Sequence, residues 1–419
     1  MRADDAAAVP MLCGSFWGGR FGDAVCPAKT AAGSSPWERG DWRQGTHCPG
    51  STRGELTAGK VFLTVGLAFQ LRCWSRADHS SCSVGLAFPF KDHSKMSTVF
   101  VSGPTGCIGA ATVVHLLENG VDNVVGFSRR EDFSRIPREY HDRIRFCAGD
   151  ITNPEQVMAA IVESAPTAII HLAAYQTPDC QARPMEGLDV NVLGTVNMFR
   201  AARQLGDSLE RFVYASSAAV YGPRSLYAGD SVTAGSAYLP PNLYGYWKVA
   251  GEGVAQAFHA ETGVPTVSLR LATTYGPGRD LGLTSAPTTA IKAAVLGQRY
   301  RLPYHGREHF HFVEDVGAGF SLSAIDPFDG YDALNLRGRT VETQVFLEVL
   351  QKACRDAGIA GFDIAVEDDA TTMPFVCDLD AQSTVELFPR MPLTSLEEGL
   401  SRSVDRFQAM ASAGALSGV

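Results

Sequence analysis

From Met96 onward, the chain alternates between two patterns of apolar residues. Short, mostly apolar runs occur at STVFVSG (97–103), NVVGFS (123–128), RIRFCAGD (143–150), TAIIHLAA (167–174), RFVYASS (211–217) and PTVSLRL (265–271). A strand with one wet face alternates apolar and polar residues, whereas a continuous apolar run is buried on both faces. Between the runs, the spacing predicts helices over 107–119, from Asn153-Pro154 to about 164, over roughly 185–205 and over about 242–260. Gly120 is placed to end the first helix, and Pro154 to open the second. Strands alternating with helices predict an α/β fold, a doubly wound parallel sheet covered on both sides. From about residue 272 the alternation becomes irregular, which predicts a smaller C-terminal lobe.

Residues 1–95 break this pattern. They hold five of the ten cysteines and four of the five tryptophans, amid Gly, Arg, Ser and Pro, with no helical or strand period. Tryptophan and cysteine are uncommon in disordered tails, and a folded domain shows periodicity. We therefore read 1–95 as sequence upstream of a start at Met96, in preference to a disordered extension or a small separate domain, and assign it no function.

Composition narrows the class. At 419 residues and 45% hydrophobic, the chain is long and apolar enough for a full core. Its net charge of −9 argues against nucleic acid or an anionic membrane surface as a partner. The sequence has no continuous apolar run of about 18 residues and no basic-then-apolar secretory leader. Its cysteines show no CxxC pairing suited to a metal. These features predict a soluble cytoplasmic protein that binds no metal.

The first strand-to-helix turn carries the first chemical signal. VSGPTGCIGA places Gly103, Gly106 and Gly109 between strand and helix. Glycine lets the backbone turn tightly and approach a pyrophosphate set on a helix N-terminus, where free N–H groups point outward. Gly103, Thr105, Gly106, Cys107, Ile108 and Gly109 thus form a candidate dinucleotide cradle; a plain structural turn is the competing reading. An NAD site ends its second strand with an acid on the ribose 2′-hydroxyl. Here that end reads GFSRRED, with Ser128, Arg129 and Arg130 in the place of the acid. Arginine would neutralise a 2′-phosphate, so NADP is favoured over NAD. Asp150 and Ile151 follow the third strand. Asp150 either accepts from an adenine amino group, with Ile151 against the ring, or closes a turn before Asn153-Pro154.

A second signal lies in NLYGYWKVAGE, where Tyr244 and Lys248 stand one helical turn apart. A phenol with its ordinary pKa near 10 is a poor base at neutral pH. A neighbouring ammonium, together with an oxidised nicotinamide, would stabilise the phenolate. The tyrosine could then exchange a proton with a substrate oxygen while hydride moves to or from the nicotinamide. A YxxxK spacing alone also fits an amphipathic surface helix. The fifth strand, ending in YASSAAVYG, adds Ser216 and Ser217 at the sheet edge where open α/β folds bind ligands. Ser217 is our choice to orient the substrate oxygen.

Taken in order, these motifs resemble an extended short-chain dehydrogenase/reductase of the NAD-dependent epimerase/dehydratase group. The likeness runs from Met96 to the C-terminus. It passes through GPTGCIG (103–109), GDIT (149–152), HLAA (171–174), NVLGT (191–195), SSAAVYG (216–222), Tyr244 and Lys248, LRLATTYGPG (269–278), FHFVEDV (310–316) and PLTSLEEGL (392–400). The resemblance implies a Rossmann-like NAD(P)-binding domain over 96–271, and a mainly substrate-binding lobe with C-terminal helices over 272–419. It implies catalysis by Ser217, Tyr244 and Lys248, the latter two also touching the cofactor. Leu172, Ala173 and Ala174 would lie along the cofactor, Asn191 would brace the site backbone, and the protein would form a homodimer.

Departures from the pattern narrow the chemistry. Family dehydratases carry an Asp-Glu pair after the catalytic hydroxyl; Ala218 and Ala219 stand there and have no proton to give. Nucleotide-sugar epimerases place an asparagine after the LR of the sixth strand and an arginine before the later FxxVxDV-like segment. This chain has Thr273 and Glu308 at those places, with Arg307 one residue early. We therefore expect an NAD(P)-dependent oxidoreductase acting on a secondary alcohol or ketone of a sugar, polyol or similar molecule. A nucleotide-sugar 4-epimerase with tightly bound NAD and a non-catalytic dinucleotide sensor are the alternatives. Ser216, Thr273, Arg279 and His309 are the expected substrate contacts, with His305 and His311 in the same lobe.

Overall fold

The apolar runs become strands, and glycines follow the ends of the first and third, at Gly103 and Gly149. The computed structural model describes residues 97–372 and 376–416; the reading of 1–95 lies outside them. In chain order the first half comprises β1 (Thr98–Ser102), α1 (Cys107–Glu118), β2 (Asn123–Ser128), β3 (Ile144–Ala148), α2 (Pro154–Ser164), β4 (Ala168–His171), α3 (Thr177–Ala182), α4 (Pro184–Leu188), α5 (Gly194–Arg203), β5 (Arg211–Ser217), α6 (Leu243–Thr262) and β6 (Thr266–Leu271). The second half adds β7 (Thr273–Tyr275), α7 (Ala286–Val295), β8 (Arg299–His305), β9 (Arg307–Phe312), α8 (Val313–Ile325), β10 (Tyr331–Asn335), β11 (Arg339–Glu342), α9 (Thr343–Asp356), β12 (Asp363–Thr372), α10 (Gln382–Leu387) and α11 (Leu396–Ser412).

Seven parallel strands form one sheet in the order β10-β6-β5-β4-β1-β2-β3. This is a Rossmann-like α/β fold. The strand period of two divides each run between two cores. Val99 and Val101 face the core under α1 and α8, while Phe100 faces the one under α2, α5 and α6. The order reverses beside β1, whose neighbours are β2 and β4. Connections leave in opposite directions there, opening a crevice at the carboxyl ends of the strands.

One expected helix is divided. The segment read as continuous over 185–205 is α4, then a π turn at Asp189–Leu193, then α5. A π turn widens the helix locally and occurs often at functional sites; here it holds Asn191 in the interior. The second half returns to the large sheet through α8, packed against α1, and β10, paired with β6.

The lobe is built on a three-stranded sheet, β11-β9-β7, and a β12-β8 pair. Phe310, Phe312, Ile291, Phe346, Leu350, Leu400 and Phe407 fill its core. Parallel pairing of β7 with β9 sets Thr273 opposite Phe310. Among the described residues, no helix is long and apolar enough to cross a membrane.

Candidate active site

The glycine turn works by close approach. Gly103 takes φ +75°, a conformation that costs glycine little. A Cβ on Gly109 would lie 2.0 Å from the Gly103 carbonyl oxygen, so only glycine lets α1 start against β1. A Cβ on Gly106 meets nothing closer than 3.7 Å, because this residue faces the open cleft.

That cleft has a volume of about 500 Å³. Gly103, Thr105, Gly106, Cys107, Ile108 and Gly109 line one side, Ser128, Arg129 and Arg130 one end, and Asp150, Ile151, Leu172, Ala173 and Ala174 the rest. Asp150 accepts from both the backbone N–H and the hydroxyl of Thr152 at 2.9 Å, so it closes an Asx turn while lining the cleft. The Ser128 hydroxyl donates to the Arg130 carbonyl at 2.7 Å, turning the strand end. Arg129 and Arg130 are exposed, leaving their guanidinium groups available to an anion. Glycine backbone and an open helix start suit a pyrophosphate, and the cations at the second strand's end suit a further anion.

A second cavity of about 190 Å³ shares Ile108, Leu172, Ala174, Ala215 and Arg279 with the cleft. Ser217, Tyr244 and Lys248 line it, with Ser216, Thr273 and Glu308. The side chain of Asn242 caps α6 by accepting from Gly245 N–H at 3.1 Å. Gly245 lets that first turn approach the turn after β5, since a Cβ there would lie 2.2 Å from the Ala219 carbonyl oxygen. Helical spacing then turns Tyr244 and Lys248 toward the end of the fifth strand.

Lys248 is buried and donates to the Ala215 carbonyl at 2.6 Å. Its ammonium sits 5.6 Å from the Tyr244 ring centroid. Burial lowers the lysine to about 8. Burial likewise raises Tyr244 above the usual phenol range; a hydrogen bond with Ser217 and the Arg279 charge pull the other way. Desolvation of the phenolate is the largest effect on Tyr244, and Lys248 is not among the groups that shift it.

Ser216 and Ser217 divide their tasks. Ser216 donates to the Glu252 carboxylate, whereas Ser217 accepts from Ala219 N–H at 3.1 Å and faces Tyr244. Asn191 clamps the peptide of Tyr175: its Oδ1 accepts from Tyr175 N–H at 2.7 Å and its Nδ2 donates to Tyr175 O at 3.0 Å. Arg279, half-buried between cleft and cavity, donates to Gln176 Oε1 at 2.9 Å and Thr284 Oγ1 at 2.8 Å.

His309 departs from its expected place. Strand period two turns Glu308 toward the cavity and therefore turns His309 and His311 away from it. The His309 ring lies against Thr340, 3.0 Å from Nδ1 to Oγ1, and lines neither cavity. His311 accepts from Ala272 N–H through Nε2 and donates from Nδ1 to Arg337 O, which fixes its tautomer. His305 is exposed.

Two buried charges carried no expectation. Arg270 and Glu252 pair beneath the serines, and Arg270 also donates to Tyr221, Tyr238 and Ala234 O. The signal was present in the arginine inside a strand otherwise free of charge, and in a glutamate four residues after Lys248.

Known proteins bear on this geometry. The model of the NAD dependent epimerase/dehydratase family matches residues 99–335. A dTDP-glucose 4,6-dehydratase of Neisseria meningitidis is 27% identical over 338 residues, covering 74% of this chain and 92% of its own. MoeE5, solved with UDP-glucuronic acid and NAD, is 26% identical with TM-score 0.61, over 75% of this chain and all of that one. The UDP-glucose 4-epimerase of Thermotoga maritima, at 21% identity, shares the fold with TM-score 0.63, over 75% of this chain and 99% of its own. With more than half of its length matched, this chain belongs to the NAD-dependent epimerase/dehydratase family, the extended short-chain dehydrogenases.

Proposed function

We propose that the protein is an NAD(P)-dependent oxidoreductase, with NADP favoured, that interconverts a secondary alcohol and a ketone on a sugar, polyol or similar small molecule. One observation carries the reading: Ser217, Tyr244 and Lys248 line a single cavity that shares a wall with the glycine-turn cleft. NAD(P), when bound, supplies or takes the hydride.

The chain's own residues handle the proton. Burial keeps the Tyr244 phenol neutral at pH 7, the form that donates to a ketone oxygen as negative charge develops there. Ser217 orients that oxygen beside the phenol. The Lys248 ammonium, one turn along the helix, stabilises the phenolate left behind. In the oxidative direction the same groups act in reverse. Ala218 and Ala219 supply neither acid nor base, which supports redox chemistry without water elimination.

The test is Tyr244→Phe in the full-length protein. Turnover of NADPH with a carbonyl panel should fall about 10²–10⁴-fold, the range for a lost general acid. NADPH binding, followed by fluorescence, should stay within a factor of two or so. A phenylalanine variant with full activity removes Tyr244 from the mechanism.

A second reading, a nucleotide-sugar 4-epimerase holding NAD tightly, draws on the likeness to MoeE5 with its UDP-sugar and NAD. It predicts NAD retained through purification and a raised Tm with a UDP-hexose. We further propose a homodimer, supported by the exposed apolar side chains of Leu193 and Tyr246 at α5 and α6.

A further inference from the structure

We propose that Glu308 determines substrate specificity by donating a hydrogen bond from Oε2 to an uncharged hydroxyl or carbonyl oxygen of a compact sugar or polyol. The proposal deepens the functional reading above and rests on it.

The carboxyl group is asymmetric. Its Oε1 accepts from Thr273 Oγ1 at 2.5 Å and from the Tyr304 hydroxyl at 3.4 Å. Its Oε2 is buried and has no hydrogen-bond partner among the described residues. The residue is 2% exposed and lines the cavity with Ser217 and Tyr244. An unpaired buried polar atom is costly, so this arrangement suits an oxygen that a ligand will satisfy.

The pattern of donors says what that ligand offers. Two hydroxyl groups already point their hydrogens at Oε1, so a proton on the carboxyl belongs on Oε2. No lysine or arginine among the described residues pairs with Glu308; its neighbour Arg307 is held by Asp378. Burial without a cation raises Glu308 to about 8, which keeps it a neutral acid at pH 7. A neutral acid in this geometry is left with a proton on Oε2 that no described residue accepts. A ligand ammonium has no acceptor for that proton, whereas a sugar hydroxyl or a ketone has one. The cavity's volume of about 190 Å³ also lies below the roughly 300 Å³ at which pockets for drug-sized ligands begin.

Glutamine separates the proton from the charge. In Glu308→Gln the amide oxygen can accept from Thr273 and Tyr304 while the amide nitrogen donates into the cavity. Glu308→Leu keeps the bulk and removes the donor. The experiment titrates free hexoses, hexitols, an amino sugar and a UDP-hexose calorimetrically into NADPH-loaded full-length protein, with NADPH fluorescence as the folding control. At least one free sugar or polyol should bind the wild type, bind E308Q within about threefold, and lose tenfold or more in E308L.

Loss of binding in E308Q shows that charge is required, and overturns the proposal. So does binding of the UDP-hexose alone, selective binding of the amino sugar, or no binding by any of the panel. Should E308L fail to fold, E308Q decides: retention supports the proposal and loss overturns it. The outcomes are also distinguishable from failure of the oxidoreductase reading. An active Tyr244→Phe enzyme sinks that reading, whereas an inactive one with sugar binding unchanged in E308L sinks only the role of Glu308.

Discussion

Arg270 and Glu252 meet face to face, Nε to Oε1 at 2.8 Å and Nη2 to Oε2 at 2.7 Å, with side chains only 1% and 2% exposed. The pair sits under the end of β5 and holds the hydroxyl of Ser216 through Glu252. Breaking one member of a buried ion pair costs about 3–5 kcal/mol, since the other charge is left without water or partner. Glu252→Ala and Arg270→Met should each lose that much in denaturant unfolding. The double variant Arg270→Met with Glu252→Leu should recover part of the loss. Single losses under about 1 kcal/mol would show the pair to be hydrated.

Two glycines should respond in opposite directions. Gly109→Ala forces a Cβ onto the Gly103 carbonyl, so the turn must open. NADPH affinity should fall by more than about a hundredfold, beyond the 2.7 kcal/mol that separates such affinities. Gly253 on α6 is exposed, and a Cβ there meets nothing within 4 Å. Gly253→Ala should stabilise the protein by about 0.5–1 kcal/mol, the helix preference of alanine over glycine. Equal effects at the two sites would contradict the geometry of the turn.

Cofactor choice is tested at the end of β2. Arg129→Ala and Arg130→Ala should weaken NADPH binding about tenfold or more, as expected for one lost hydrogen bond to a charged group. NADH binding should change little. A uniform effect on both cofactors would assign the arginines to general electrostatics rather than to the 2′-phosphate.

Acid should unfold the protein early. Burial lowers His171 to about 3 and His311 to about 4, and also lowers His309. The ordinary histidine value is about 6.5, so between these values the unfolded chain binds more protons than the folded one. Stability therefore rises with pH in this window and is lost as pH falls from about 6.5 toward 3. Each histidine contributes up to about 1.4 kcal/mol per pH unit. Glu308 acts oppositely: its stabilising share is present below about 4.5 and is lost as pH rises toward 8. Thermal melts should give a Tm falling steeply below pH 6, and Glu308→Gln should gain relative stability at pH 8. A Tm flat from pH 6.5 to 4 would mean that the histidines are not buried as neutral rings.

The apolar runs located the strands with small errors at their ends. NVVGFS and RFVYASS coincide with β2 and β5, whereas TAIIHLAA shrinks to the four residues Ala168–His171. Its last residues leave the sheet to line the cleft. The π turn at Asp189–Leu193 was not legible. The π turn follows from how the helix packs on its neighbours, which local apolar spacing does not record.

Local spacing was sufficient for the glycine turn, the α6 helix and the placement of Tyr244 one turn from Lys248, because backbone geometry ties residues within a few positions of each other. The lining of the cleft by Ser128, Arg129 and Asp150 followed from strand ends, which a parallel sheet gathers along one edge. Partners distant along the chain were settled only by folding. Thr273 reaches Glu308 through the register of β7 on β9, and Arg270 finds Glu252 across β6 and α6. Pairing register and the removal of water are collective properties of the packed molecule. They turned His309 away from the cavity, raised Tyr244 and Glu308, and left one carboxyl oxygen of Glu308 with no partner among the described residues.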